Sequence, residues 1–200
     1  MSATLTPLRA DFALIESWIV PGSKVLDLGC GDGTLLARLK RERGVSGYGV
    51  DIADANVLAS LVNGINVIQS DLEAGLNTFN DKAFDTVILS HTLQAMRNTK
   101  PIMEEIARVG LEGVVSFPNF GYEKNRVQVA AGHMPVSAEM PYQWHDTPNV
   151  HLCTMADFDR FCTDLGMQVI DRRAFTDNRE IVSGDPNLLG ALAVYRFRKK

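Results

Sequence analysis

Residues 25–33 read VLDLGCGDG. A short apolar run carrying one acid, Asp27, breaks into glycines at positions 29, 31 and 33. An apolar run bounded by glycine predicts a buried strand, here Lys24–Leu28, feeding a tight turn. The spacing that follows predicts a helix over Thr34–Arg43, with Gly44 placed to stop it.

The alternation continues outward from this stretch. Before it, Phe12, Ile15 and Ile19 fall at helical spacing within Arg9–Val20, closed by Pro21-Gly22. After it, strands are predicted at Gly47–Val50, Asn66–Gln69, Phe84–Leu89 and Gly113–Phe117. Helices are predicted over Ala55–Val62 and from about Lys100 to Val109, where Pro101 sits in the first turn and costs no hydrogen bond. Thr154 and Asp157 form a variant capping box for a helix running to Leu165, with Gly166 as its stop. Met167–Asp171 and Leu189–Arg196 complete the set. About seven strands separated by helices predict an α/β fold: a doubly wound, mostly parallel sheet with helices on both faces, Rossmann-like in plan. One domain over residues 1–200 is expected, interrupted by an irregular insertion at about 119–152.

Composition removes several functions. The chain of 200 residues is 46% hydrophobic, enough for a sizeable core, and its formal charge of −4 gives no support to a nucleic-acid partner. Cys30, Cys153 and Cys162 form no CxxC pair and no metal-ligand spacing, so no metal is expected. A site at His145, Asp146 and His151 would require the loop to fold back on itself. No apolar run reaches the roughly 18 residues of a membrane span. MSATLTPLRADF at the start lacks a secretory pattern, so a cytoplasmic location is expected.

In a doubly wound sheet, ligands bind beyond the carboxyl ends of the strands. Gly29, Gly31 and Gly33 lie at that edge, beside the free N–H groups of the helix from Thr34. A dinucleotide fingerprint wants GxGxxG, and Thr34 stands where the third glycine would fall, which counts against a nicotinamide oxidoreductase. No Lys-Ser/Thr pair follows to make a phosphate-binding P-loop. Asp51 ends the next strand, where a carboxylate accepts from the hydroxyls of a ribose. Asp71 ends the one after, placed for an adenine amino group. Together the three strand ends fit a nucleoside with an amino-acid tail in place of a pyrophosphate: S-adenosylmethionine.

VLDLGCGDG, GVD at 49–51, SDL at 70–72 and FDTVILSHTLQ at 84–94 resemble the successive motifs of class I S-adenosylmethionine-dependent methyltransferases. The likeness implies that the Gly29–Gly33 turn, including Cys30 and Gly31, passes beneath the methionine portion, with Asp27 near its amino group. It places Asp51 and Ile52 at the ribose, Asp71 and Leu72 at the adenine, and Ser90 and His91 at the sulfonium end. Methyl transfer mainly requires alignment, though a hydroxyl or amine acceptor can call on a base near neutral pKa. His91, at a strand end, is the candidate for that acid–base role.

Past residue 115 the likeness narrows. SFPNFGYEKNR at 116–126, GHMPVSAEMPYQWHDTPNVHLCT at 132–154 and the DF at 157–158 resemble the MetW family of methionine-biosynthesis proteins. The resemblance implies a methyltransferase-fold protein that acts with homoserine O-acyltransferase and binds S-adenosylmethionine or S-adenosylhomocysteine. No GxSxG elbow is present, in keeping with covalent acyl chemistry residing in the partner. An active methyltransferase on a small or protein acceptor is the alternative. Asn119, Tyr142, Trp144, His145 and His151 are the candidate acceptor or partner surface. Their stretch suits a lid, a protein interface, or a loop wrapped on the sheet by its aromatics.

Overall fold

A computed structural model describes residues 9–200; the expectations for Met1–Leu8 lie outside the described residues. Helix α1 is Ala10–Trp18, β1 Lys24–Leu28, α2 Thr34–Arg43, β2 Ser46–Asp51, α3 Asp54–Val62 and β3 Val67–Gln69. Then come β4 (Phe84–Ser90), α4 (Thr99–Val109), β5 (Gly110–Pro118), α5 (Glu123–Ala130) and α6 (Met155–Asp164). The chain ends in β6 (Met167–Thr176), β7 (Arg179–Glu180), α7 (Pro186–Leu189) and β8 (Leu192–Lys199). The α/β expectation holds, with local differences, among them the helix Pro186–Leu189 where the last strand is expected to begin.

The strands form one sheet in the order β3-β2-β1-β4-β5-β8-β6-β7. Strands β1 to β5 run parallel, whereas β8, β6 and β7 pair antiparallel at the far side. The sheet therefore has eight strands where the sequence predicts about seven. The additional one is β7, a two-residue strand turned back on β6 through Asp177 and Asn178, both at positive φ. Two residues are too few to show a period, so only the turn chemistry carried a signal. A further difference is α5, inside the stretch expected to be irregular. Its Val127 and Val129 are exposed, so no apolar stripe marks it.

Alternate residues of each strand point to opposite faces, and the two faces have separate cores. Leu26 and Leu28 of β1 join Val87, Leu89, Val115 and Phe117 against Ile102, Met103 and Ile106 of α4 and Phe158 of α6. Val25 joins Ile88, Val114 and Val194 against Ile15 of α1 and Leu35, Leu36 and Leu39 of α2. Asp27 is on this second face by its register, a carboxylate among aliphatic neighbours. Between β1 and β4 the strand order reverses direction, which opens a crevice at the carboxyl edge.

Candidate functional site

The turn after β1 is held from below. Gly29 N and Cys30 N both donate to Val50 O, at 2.8 and 3.1 Å, which fixes the turn against the end of β2. Gly29 has φ +66°, and a Cβ there would meet Thr92 Oγ1 at 2.4 Å. Gly31 has φ +58° and open space where a Cβ would stand. The first glycine lets two segments of protein approach; the second leaves room in front of the turn.

That room is a cleft of about 780 Å³, walled by Gly29, Gly31, Asp51, Ile52, Asp71, Leu72 and His91 among others. The structure thus brings together residues named from three separate strand ends. Asp51 is buried and accepts from Gly31 N (2.9 Å), Ala53 N (2.9 Å) and Asn56 Nδ2 (3.1 Å). A carboxylate has about four acceptor positions, so one remains for a ligand hydroxyl. Asp71 caps a single 3-10 turn, Leu72–Ala74, by accepting from Glu73 N at 2.9 Å through one oxygen. Its side chain is exposed, with the second oxygen free of hydrogen bonds among the described residues. Glu73 closes the rim, accepting from Arg97 N at 2.5 Å and Asn98 Nδ2 at 2.9 Å.

Four of the expected cofactor residues are not walls of this cleft. Cys30 turns its thiol toward Ser60, 3.7 Å away, and burial pushes its pKa up to about 11, so it is an inert packing group. Gly33 is the left-handed N-cap of α2, with Ser60 Oγ 2.8 Å from where its Cβ would be. Ser90 bonds to Ser116 Oγ (3.0 Å) and accepts from Arg9 Nη2 (3.2 Å). Asp27 lies beneath the turn, 2% exposed, and accepts no hydrogen bond among the described residues. Burial raises its pKa to about 7, Arg9 opposing the rise and Asp51 adding to it. Such a carboxylate is short of a donor, which suits the amino end of a ligand above it.

His91 adopts φ +51°, uncommon for a side chain with a Cβ. Its amide donates to Ser116 O at 2.9 Å, while its ring Nε2 is buried without a hydrogen-bond partner. Asp11 Oδ2 is 3.9 Å from that nitrogen, too far for a hydrogen bond. Burial and the positive charge of Arg9 lower the His91 pKa to about 4, against the opposing pull of Asp11. The ring is therefore neutral at pH 7 and a weaker base than a free imidazole, which counts against the expected acid–base role.

The expected acceptor or partner residues separate. Asn119 is a correction: it is fully buried, and backbone groups use its whole amide. Nδ2 donates to Asn187 O (2.9 Å) and Gly190 O (2.7 Å), and Oδ1 accepts from Gly121 N (3.0 Å) and Met155 N (3.2 Å). Its work is to fasten the loop after β5, with no surface to offer. Tyr142, Trp144 and His145 are exposed, Trp144 and His145 meeting edge to face at 5.4 Å. The His151 ring lies 3.2 Å from Arg97 O and lines a small apolar cavity with Phe117, Phe158 and Cys153. Sequence reasoning missed Arg9 and Asp11. Their opposite charges two positions apart look like any helix start, and only the fold carries them to the ends of β4 and β5. Asn56 was more legible, an amide in the first turn of the helix after Asp51.

A family model described as methionine biosynthesis protein MetW matches residues 9–197. A bifunctional methionine biosynthesis protein MetXA/MetW of Rhodopirellula baltica is 39% identical over 207 aligned residues, taking in 96% of this chain and 33% of that protein. The chain thus spans about a third of the length of this curated relative. Among solved structures, an S-adenosylmethionine dependent methyltransferase from Mesorhizobium loti superposes with a TM-score of 0.70 at 18% identity, covering 95% of this chain and 98% of that one. A TehB-like SAM-dependent methyltransferase from Corynebacterium glutamicum gives 0.67 at 17% identity, covering 98% and 90%. At such identities the likeness is one of fold. The chain belongs to the MetW family of methionine biosynthesis proteins and has the class I methyltransferase fold.

Proposed function

We propose that this MetW family member holds S-adenosylmethionine, or its demethylated product S-adenosylhomocysteine, in the cleft at the glycine turn, and that it acts with a homoserine O-acyltransferase in methionine biosynthesis. The carrying observation is the convergence of Gly31, Asp51 and Asp71 on one cleft from the ends of three neighbouring strands. Asp51 retains one acceptor position for a ribose hydroxyl, Asp71 one oxygen for an adenine amino group, and Asp27 a carboxylate in want of a donor. Gly31 leaves the turn open to a close approach. Support for the partner comes from the Rhodopirellula baltica relative, whose name joins MetXA to MetW in one chain; we read its MetXA part as the acyltransferase.

Calorimetric titration with S-adenosylmethionine tests the pocket. Wild type should bind saturably, and Asp51→Ala should bind about ten- to a hundredfold more weakly, the scale of a hydrogen bond to a charged group. Equal binding by the variant would remove the ribose assignment. Reconstitution with the acyltransferase tests the partnership: acyl transfer should depend on this chain and respond to saturating S-adenosylmethionine. A pair indifferent to the nucleoside would separate the cleft from any control of acyl transfer.

An active methyltransferase is the second reading, and the place of His91 on the walls of both the cleft and a neighbouring cavity favours it, although its lowered pKa makes it a weak base. When bound, the nucleoside supplies a methyl group already activated on a sulfonium. The chain's part is then to align the acceptor and, for a hydroxyl or amine, to take its proton at the neutral His91 ring. Acceptor-dependent release of S-adenosylhomocysteine, with a pH profile altered in His91→Asn, is the test.

A further inference from the structure

Beyond His91, away from the nucleoside cleft, is a second cavity of about 410 Å³. His91 and Ala95 wall both spaces, so only their thickness separates the two. The charges around the second cavity do not balance. Arg9 is the one cation among its walls in the described residues, and it is already committed. Its Nε donates to Asp11 Oδ1 at 3.0 Å and its Nη2 to Asp11 Oδ2 at 2.5 Å, with the guanidinium laid over the Phe12 ring at 4.4 Å. Asp11 is wholly buried and also accepts from Ser90 Oγ at 3.3 Å. Arg9 and Asp11 neutralise one another.

Glu139, on another wall, has no such partner. Among the described residues its carboxylate makes no ion pair and accepts no hydrogen bond, although it is half-buried. Burial and the nearby Asp11 and Asp177 raise its pKa, against a smaller opposing pull from Arg9. Two further acceptors go unmet nearby. Gln94 donates through Nε2 to His91 O at 2.7 Å, which leaves its Oε1 buried without a donor. The neutral His91 ring likewise has Nε2 buried without a partner. A buried polar group without a partner is costly to the folded chain, and a donor seated nearby would relieve it. Gln94 and His91 are both residues of the cavity wall.

We propose that this cavity binds a small molecule carrying a protonated primary amine, with Glu139 as its counter-ion and Gln94 and His91 as acceptors. An ammonium group brings one positive charge and three donors, matching one unpaired carboxylate, the amide oxygen of Gln94 and the ring nitrogen of His91, which accepts in its Nδ1–H tautomer. A hydroxyl brings one donor and no charge, and a carboxylate would face Glu139 with the only cation spent. Tyr142, also in the lining, supplies an aromatic ring beside the same cation. Under the methyltransferase reading, such an amine is the acceptor class; the binding itself does not depend on that reading.

The test is calorimetric titration of the full chain, without nucleoside, using tyramine, putrescine and hexylamine, each beside the alcohol of matching shape (tyrosol, 1,4-butanediol and hexanol). At least one amine should bind about tenfold or more tightly than its alcohol. Glu139→Gln, with an unchanged melting temperature, should remove most of that preference, and Glu139→Ala should do the same. The ring nitrogen resonances of His91 should move on adding the amine and stay in place with the alcohol. Amines that bind no better than their alcohols, or not at all, would overturn the assignment. So would a preference that survives in both Glu139 variants. Because nucleoside is absent, these outcomes are independent of whether the larger cleft takes S-adenosylmethionine.

Discussion

Asp27 and His91 have been displaced in opposite senses by burial, and each leaves a signature in the pH dependence of stability. Asp27 rises from 3.8 to about 7 on folding, so the folded chain binds its proton more tightly. Its contribution is fully present below pH 4 and is lost as the pH climbs through 7, on the order of 4 kcal/mol in all. His91 falls from 6.5 to about 4, and its contribution is present above pH 6.5 and lost as the pH drops through 4. Between pH 4 and 6.5 the two oppose each other in the wild type, and variants separate them. Denaturant titrations of Asp27→Asn should show stability gained relative to wild type as the pH rises from 4 to 8. His91→Asn, chosen because asparagine tolerates a left-handed backbone, should lose less stability than wild type between pH 6.5 and 4. A wild-type-like pH dependence in either variant would contradict the burial described for that group. Both residues were legible in the sequence as candidates, by their place at strand ends. Their environments were not, since Arg9 and Asp11 come from a helix far away in the chain.

At the scale of elements, the glycine turn does two jobs that sequence spacing cannot tell apart. Gly29 admits Thr92, and Gly31 faces open space. An added methyl at either position must enter left-handed backbone, at about 1–2 kcal/mol. Gly29→Ala must also displace Thr92, adding about 1–3 kcal/mol, so it should unfold at distinctly lower denaturant than Gly31→Ala. Gly31→Ala should remain folded and lose nucleoside binding, which titration reads directly. The capping box was recognisable from residue types alone: Thr154 Oγ1 accepts from Asp157 N at 3.1 Å. Thr154→Ala should cost about 1 kcal/mol by equilibrium unfolding. The stretch after Asn119 was opaque for a physical reason. It is ordered by side-chain bonds such as those of Asn119, which have no period to detect.

Across the whole molecule, the fold places two cavities at the carboxyl edge and leaves an apolar surface beside them. Trp144 is 73% exposed, and Met134, Val150 and Leu152 are exposed near it along the same loop. A cluster of that kind marks an interaction surface more often than a packing failure. Trp144→Ala should leave the melting temperature unchanged and reduce activation of the acyltransferase in the reconstituted pair about tenfold or more. Full activation by that variant would move the partner surface elsewhere. Among the described residues no helix is long and apolar enough to cross a membrane.

By itself the sequence determined the alternation of strands and helices, the turn at Gly29–Gly33 and the acids at the ends of the first three strands. These are local matters, written in periodicity and in glycine's tolerance of positive φ. Only the tertiary structure decided that β8, β6 and β7 run antiparallel, that Asn119 is a buried fastener, and that Arg9 and Asp11 neutralise each other beside His91. Each of these depends on which distant segments meet, and pairing across a sheet is settled by global packing, not by any stretch of the chain alone.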